Sequence, residues 1–139
     1  MNHLEATKTV VGSTVTSAAG TATLTIDTLG YDYASVDVLV AVSATPANTA
    51  ASILNVLTLS QGDTNTAGTS VYTVAVPDAS AAVTSQPSVV RLDVDLRGKS
   101  RYLKVDATPA TALATTIAAR LGKGEKGADT AADKGALAK

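Results

Sequence analysis

The chain has 139 residues, a net charge of −1 and 17% charged residues. That length suits one domain, and the near-neutral balance argues against tracking a phosphate backbone, so no nucleic-acid partner is expected. Without cysteine there is no disulfide and no thiolate metal site, and with no Phe, no Trp and four Tyr the core must be built from Val, Leu, Ile and Ala, which bury less area than aromatic rings.

Residues 1–6 are a short polar lead, expected to form an N-terminal arm. The start, MNHLEATKTVVG, lacks the apolar stretch of a signal peptide. No apolar run approaches the ~18 residues of a membrane span, so no membrane partner is expected. Residues 7–16 (TKTVVGSTVT) are rich in Thr and Val, which suit a strand, and Gly12 within them points to a bulge or a close backbone approach. Ala22, Leu24 and Ile26 alternate with threonines, the pattern of a half-buried strand. A loop with Gly30 follows. Residues 35–42 place Val36, Val38, Val40 and Val42 on one face, and Leu39 and Ala41 on the other predict a strand covered on both sides. Residues 53–60 form another apolar strand, and 61–69 (QGDTNTAGT) a turn-rich loop. Residues 70–76 alternate with Tyr72, Val74 and Val76 in phase, and 77–87 are an Ala/Ser loop between two prolines.

The strongest local signal is VRLDVDLRGKSRYLKVDA, residues 90–107. Apolar and charged residues alternate on both sides of Gly98-Lys99, which predicts a hairpin with a two-residue II′ turn. The register implied sets Val94 opposite Leu103, Leu92 opposite Val105 and Val90 opposite Ala107. On the other face it sets Asp93 opposite Lys104 and Arg91 opposite Asp106. The tip, Arg97, Lys99 and Arg101, then stands out as a small basic cluster. Residues 108–111 (TPAT) interrupt the pattern. In residues 112–121 (ALATTIAARL), Leu113, Ile117 and Leu121 fit a helix face, while Leu113, Thr115, Ile117, Ala119 and Leu121 fit a strand face. The paired threonines and the β-rich surroundings favour the strand.

Eight strands separated by short turns predict an all-β, single-domain antiparallel β-sandwich over residues 7–121, jelly-roll-like in preference to immunoglobulin-like. Residues 122–139 (GKGEKGADTAADKGALAK) differ in kind, with four glycines, seven charges and one sizeable apolar residue, Leu137. Alone they bury too little surface to offset their ordering entropy. Left free they are a disordered tail; docked on another chain they are an extended C-terminal arm.

Catalytic chemistry finds little support. His3 is the only histidine and sits in a polar terminal segment. Asp93 and Asp95 share a strand face at a spacing of ~6–7 Å that overlaps glycosidase separations, but a solvated, ion-paired face is the better account. Asp63 and Asn65 lack the spacing and terminal Glu of a Ca²⁺ loop. No enzymatic activity, cofactor or metal is expected. Tyr31 and Tyr33 either anchor an interface or plug one end of the sandwich.

Three stretches resemble the capsid decoration, or cement, proteins encoded among the head genes of tailed bacteriophages. They are the turn Leu57-Thr58-Leu59-Ser60-Gln61-Gly62-Asp63, the stretch Asp95-Leu96-Arg97-Gly98-Lys99-Ser100-Arg101-Tyr102-Leu103-Lys104-Val105, and the Ala/Thr-rich residues 112–121. The resemblance spans residues 35–121 and is looser at the first turn, where the family's acidic residues are mostly replaced. It implies a β-rich protein, made in the host cytoplasm and bound to the outer surface of the capsid. Its implied partners are the major capsid protein and further copies of itself, most often as a trimer. The expected contact residues are Tyr31, Tyr33, Arg97, Lys99, Arg101, Lys123, Lys126 and Leu137. A tail or head-fibre module and a carbohydrate-binding sandwich are the alternatives; the latter usually needs aromatic platforms that this chain lacks.

Overall fold

The computed structural model describes residues 7–16, 20–41, 54–73, 87–110 and 112–122. They form eight strands: β1 Lys8–Val15, β2 Ala22–Asp27, β3 Tyr33–Val40, β4 Leu54–Gly62, β5 Thr69–Thr73, β6 Ser88–Asp95, β7 Tyr102–Pro109 and β8 Thr115–Gly122. No helix occurs among the described residues. Two four-stranded sheets result, ordered β1-β8-β3-β6 and β2-β7-β4-β5. Every pairing is antiparallel. The fold is all-β, a two-sheet β-sandwich.

Alternation builds the core. Ala22, Leu24 and Ile26 from β2, Ala34, Val36, Val38 and Val40 from β3, Leu103, Val105 and Ala107 from β7, and Ile117, Ala119 and Leu121 from β8 all point inward and are buried. Leu54, Leu57 and Leu59 from β4 join them. Residues 115–121 take the strand reading rather than the helical one, with Thr115, Ile117, Ala119 and Leu121 buried on one face. The inner face of the edge strand β6, Val90, Leu92 and Val94, is only half-buried. Val42, Ile53, Val74 and Val76 lie outside the described residues.

The hairpin expected over residues 90–107 does not form. β6 pairs with β3, whereas β7 pairs with β2 and β4, so the two strands lie in opposite sheets. Gly98 does adopt a positive φ of 78°, but one position later in its turn than expected. The Lys99 N–H donates to the Leu96 carbonyl at 3.0 Å, which makes Gly98 the third residue of a type II turn. The chain uses this corner to cross between sheets, and buried Leu96 caps the end of the core. The physical reason is that an alternating strand satisfies the same core from either sheet. Cross-strand pairs are worth ~0.2–1 kcal/mol each, too little to decide against equally good partners. β3 supplies those partners, setting Asp37 opposite Arg91 and Ser35 opposite Asp93.

Three smaller differences follow from local chemistry. β7 continues to Pro109, which is buried opposite Leu54 where the β4–β7 register shifts; the irregularity accommodates a residue with no N–H to donate. Leu39 is 42% exposed, and Ala41 is exposed, so the second face of β3 is not covered by any described residue. Residue 122, expected to open the arm, instead ends β8, where it pairs with Tyr33.

Gly12 serves both purposes expected of it. The β1–β8 register shifts between Val11 and Thr14, and a Cβ at position 12 would lie 2.6 Å from the Thr23 carbonyl oxygen and 2.9 Å from Leu24 Cβ. Next to it, Ser13 Oγ accepts the Thr23 N–H at 3.1 Å and donates to the Thr23 carbonyl at 3.3 Å. One bulged residue thereby closes the β1/β2 side of the sandwich. Gly12→Ala is therefore expected to cost roughly 1–3 kcal/mol by overpacking. Gly68→Ala, where nothing lies within 4 Å, should stay within about 0.5 kcal/mol. Urea unfolding of both variants checks the contrast.

Candidate interaction surface

The end of the sandwich where β6 passes to β7 gathers most of the predicted contact residues. Asp95 closes β6 opposite Tyr33, and Asp27 closes β2 opposite Tyr102. This pairing aligns the two arginines of the corner. Arg97 grips Asp95 with Nε at 2.9 Å and a terminal nitrogen at 2.6 Å, and its backbone N–H donates to the same carboxylate at 3.0 Å. The guanidinium lies over the Tyr33 ring, 5.2 Å from its centre. Arg101 grips Asp27 in the same forked manner, at 3.0 and 2.7 Å, and lies 5.0 Å from the centre of the Tyr102 ring. Bidentate pairs of this kind are the geometrically specific form of the arginine–carboxylate contact.

The corner is thus not the free basic cluster expected. Arg97 and Arg101 are each neutralised by a carboxylate, and Lys99 is the one of the three with no ion pair among the described residues. The Arg97 guanidinium, and then its backbone N–H, hold the Asp95 carboxyl down to about 2. Arg101 lowers Asp27, outweighing the upward push of burial. Asp95 raises Arg97 in return.

The two tyrosines differ in their surroundings. Tyr31 is half-buried and packs against the core, and its N–H donates to the Thr28 carbonyl at 3.0 Å, so it plugs this end of the sandwich. Tyr33 lies on the outer face as the platform for Arg97. Lys123, Lys126 and Leu137, and His3, lie outside the described residues.

The carboxylates share no common task. Asp93 accepts a hydrogen bond from Ser35 Oγ at 2.7 Å, while Asp95 is held by Arg97. The cross-strand pairs expected for the hairpin are replaced. Arg91 binds Asp37 at 2.7 and 3.1 Å, and this lowers the Asp37 carboxyl. Lys104 pairs with Asp106 two residues along the same strand, at 2.9 Å, and Thr23 Oγ1 donates to Asp106 at 2.7 Å. Asp63 and Asn65 lie in a tight turn, where the Ala67 N–H reaches the Thr64 carbonyl at 3.1 Å and the Thr64 and Thr66 hydroxyls bond at 2.7 Å. Among the described residues, no three His, Cys, Asp or Glu side chains gather as a metal site would require.

Sequence reasoning missed the outer face of the β1-β8-β3-β6 sheet. There Leu39 and Val89 are direct cross-strand neighbours, 42% and 57% exposed. Val11, 65% exposed, lies on the same face two strands away, opposite Ala118, which in turn is opposite Asp37. The available signal was the doubled apolar residues, Val10-Val11 and Val89-Val90, in which one member must point away from the core. Between these side chains the surface is small or polar: Ala118, Thr116, Ser35 and the Arg91–Asp37 pair.

Comparison of the sequence with protein-family models and with curated proteins finds no match to either.

Because the folded Asp95 carboxyl titrates at about 2, against about 3.9 when unfolded, the unfolded chain binds more protons between those values. Stability from this pair is therefore complete above about pH 4 and falls as pH drops toward 2. Arg97→Ala should return the Asp95 midpoint toward the ordinary carboxylate range. Carboxyl ¹³C NMR titration checks this, and an unmoved midpoint would contradict the assigned cause.

Proposed function

We propose that this protein is a capsid decoration, or cement, protein of a tailed bacteriophage. It binds the outer surface of the assembled shell and cross-links neighbouring capsid subunits without catalysing a reaction. The observation that carries the reading is the outer face of the β1-β8-β3-β6 sheet. It exposes Val11, Leu39 and Val89 together, while the charged groups Arg91, Asp37 and Asp93 beside them are already bonded within the molecule. Grouped apolar exposure of this kind suits a protein partner, and charges engaged at home suit adhesion better than proton transfer.

The strand order supports a jelly roll as the form of the sandwich. β1 pairs with β8 and β3 with β6 in one sheet, and β2 pairs with β7 and β4 with β5 in the other. Nested pairs of this sort arise when one long antiparallel hairpin is rolled into two sheets. Jelly rolls recur in viral shells and lectins; the lack of Phe and Trp disfavours the lectin use. The polar residues 123–139 act as an arm laid across adjacent subunits, starting from the end of β8. Many copies on one shell turn modest affinity into large avidity.

Two measurements test this. Quantitative mass spectrometry of purified virions should return about one copy per major capsid subunit or per small cluster of them; a few copies per particle would assign the protein to a tail or fibre instead. Leu39→Asp with Val11→Asp, both exposed, should change stability by no more than about 1 kcal/mol in total yet reduce capsid occupancy at least tenfold. Deleting residues 123–139 should lower occupancy and the heat resistance of expanded capsids. Unchanged occupancy in both variants would overturn the reading.

A further inference from the structure

The four edge strands of the sandwich differ in how they end the sheets. β1 is broken by the shift at Gly12, and β2 is engaged by Ser13 through both backbone groups of Thr23. β5 has five residues and a register shift against β4. β6 is the exception. It has eight residues, in unbroken register with β3 from Ser88 to Asp95, and no described strand pairs with its other edge. A long regular edge is a template for a further strand, because its outward N–H and C=O groups have a repeating spacing that another strand matches. The inner side chains Leu92 and Val94 are half-buried, and they share a groove with Leu59 and the 58% exposed Tyr72.

We propose that β6 is a self-association edge, pairing antiparallel with β6 of a second copy about a two-fold axis at Leu92. The sequence of the strand selects that register. Centred on Leu92, Arg91 of each copy faces Asp93 of the other, Val90 faces Val94, and Leu92 faces Leu92. Moving the axis to Asp93 sets two aspartates opposite each other, and moving it to Arg91 sets two arginines opposite each other, both unfavourable. Shifting by a single residue would turn the inner, apolar side chains of one copy toward the outer face of the other. Only the Leu92-centred register combines two opposite-charge pairs and an apolar inner face with no like-charge contact. Arg91 keeps Asp37 beside it in this arrangement, since Asp37 approaches from the β3 side. The contact is isologous and closes as a dimer, unlike the trimer suggested by family resemblance. It does not depend on the capsid reading, and sedimentation tests it without virions.

The full-length chain should sediment as a dimer at high micromolar concentration. Asp93→Lys and Arg91→Glu, each alone, oppose like charges twice and should weaken the dimer by about tenfold or more. An equimolar mixture of the two variants should re-form a heterodimer, since Arg91 then meets Asp93 and Glu replaces Arg opposite the new Lys. Should Arg91→Glu fold poorly beside Asp37, cysteine scanning decides the matter, because the natural chain has no cysteine. Leu92→Cys should oxidise to a disulfide-linked dimer. Val90→Cys should not, because its copies lie four residues apart across the axis, beyond disulfide reach. A monomeric natural chain, an oligomer of any size indifferent to Asp93→Lys, or cross-linking at 90 rather than 92 would each overturn the proposal.

Discussion

The structure depends on two sheets held together mainly by aliphatic side chains. The largest fully buried side chains are Ile26, Leu54, Leu57, Leu103, Ile117 and Leu121, with Val36, Val38 and Val105 between them. No aromatic ring is fully buried among the described residues; Tyr31 contributes from the periphery, half-buried. Small branched side chains fill the space between sheets only if the sheets approach closely and in register, because cores at native density leave few voids. That demand explains the tightness at Gly12, where β1 and β2 meet with no room for a Cβ. It also explains why Leu96 and Tyr31 are used to close one end: with short core residues, the ends of the sandwich need separate plugs.

With Thr28 and Thr115 the only polar side chains buried among the described residues, the charged chemistry is pushed to the outer faces and the corners, where it stays local. Arg97 and Arg101 each clasp a carboxylate that ends a neighbouring strand and rest on a tyrosine ring. These contacts are exposed and individually modest in energy. Their effect is geometric: they fix the direction in which the chain leaves one sheet and enters the other. The same economy leaves the outer face of the β1-β8-β3-β6 sheet with bonded charges and unburied Val11, Leu39 and Val89, the combination on which the proposed adhesive role rests.

The corner at residues 96–101 shows how far local pattern carries. Its alternation was read correctly on both sides, and Gly98 does take a positive φ. That alternation does not make a hairpin, because complementary charges on adjacent strands are a weak constraint when other polar partners lie within reach. Arg91 finds Asp37, Lys104 finds Asp106, and Asp93 finds Ser35. The Arg101–Asp27 clasp is a long-range outcome of the same kind: the two residues are far apart in sequence and meet because β2 pairs with β7.

What the sequence determined by itself is the set of strands and which side chains face inward. A period of two is written residue by residue, and a strand that breaks it cannot bury one face. It likewise determined the aliphatic character of the core and the special position of Gly12. The tertiary structure decided which strands are neighbours, which charges pair, and which apolar residues remain outside. These are long-range outcomes. A strand with one dry face fits the core equally well from either sheet, and only the simultaneous packing of all eight strands divides them into the sheets β1-β8-β3-β6 and β2-β7-β4-β5.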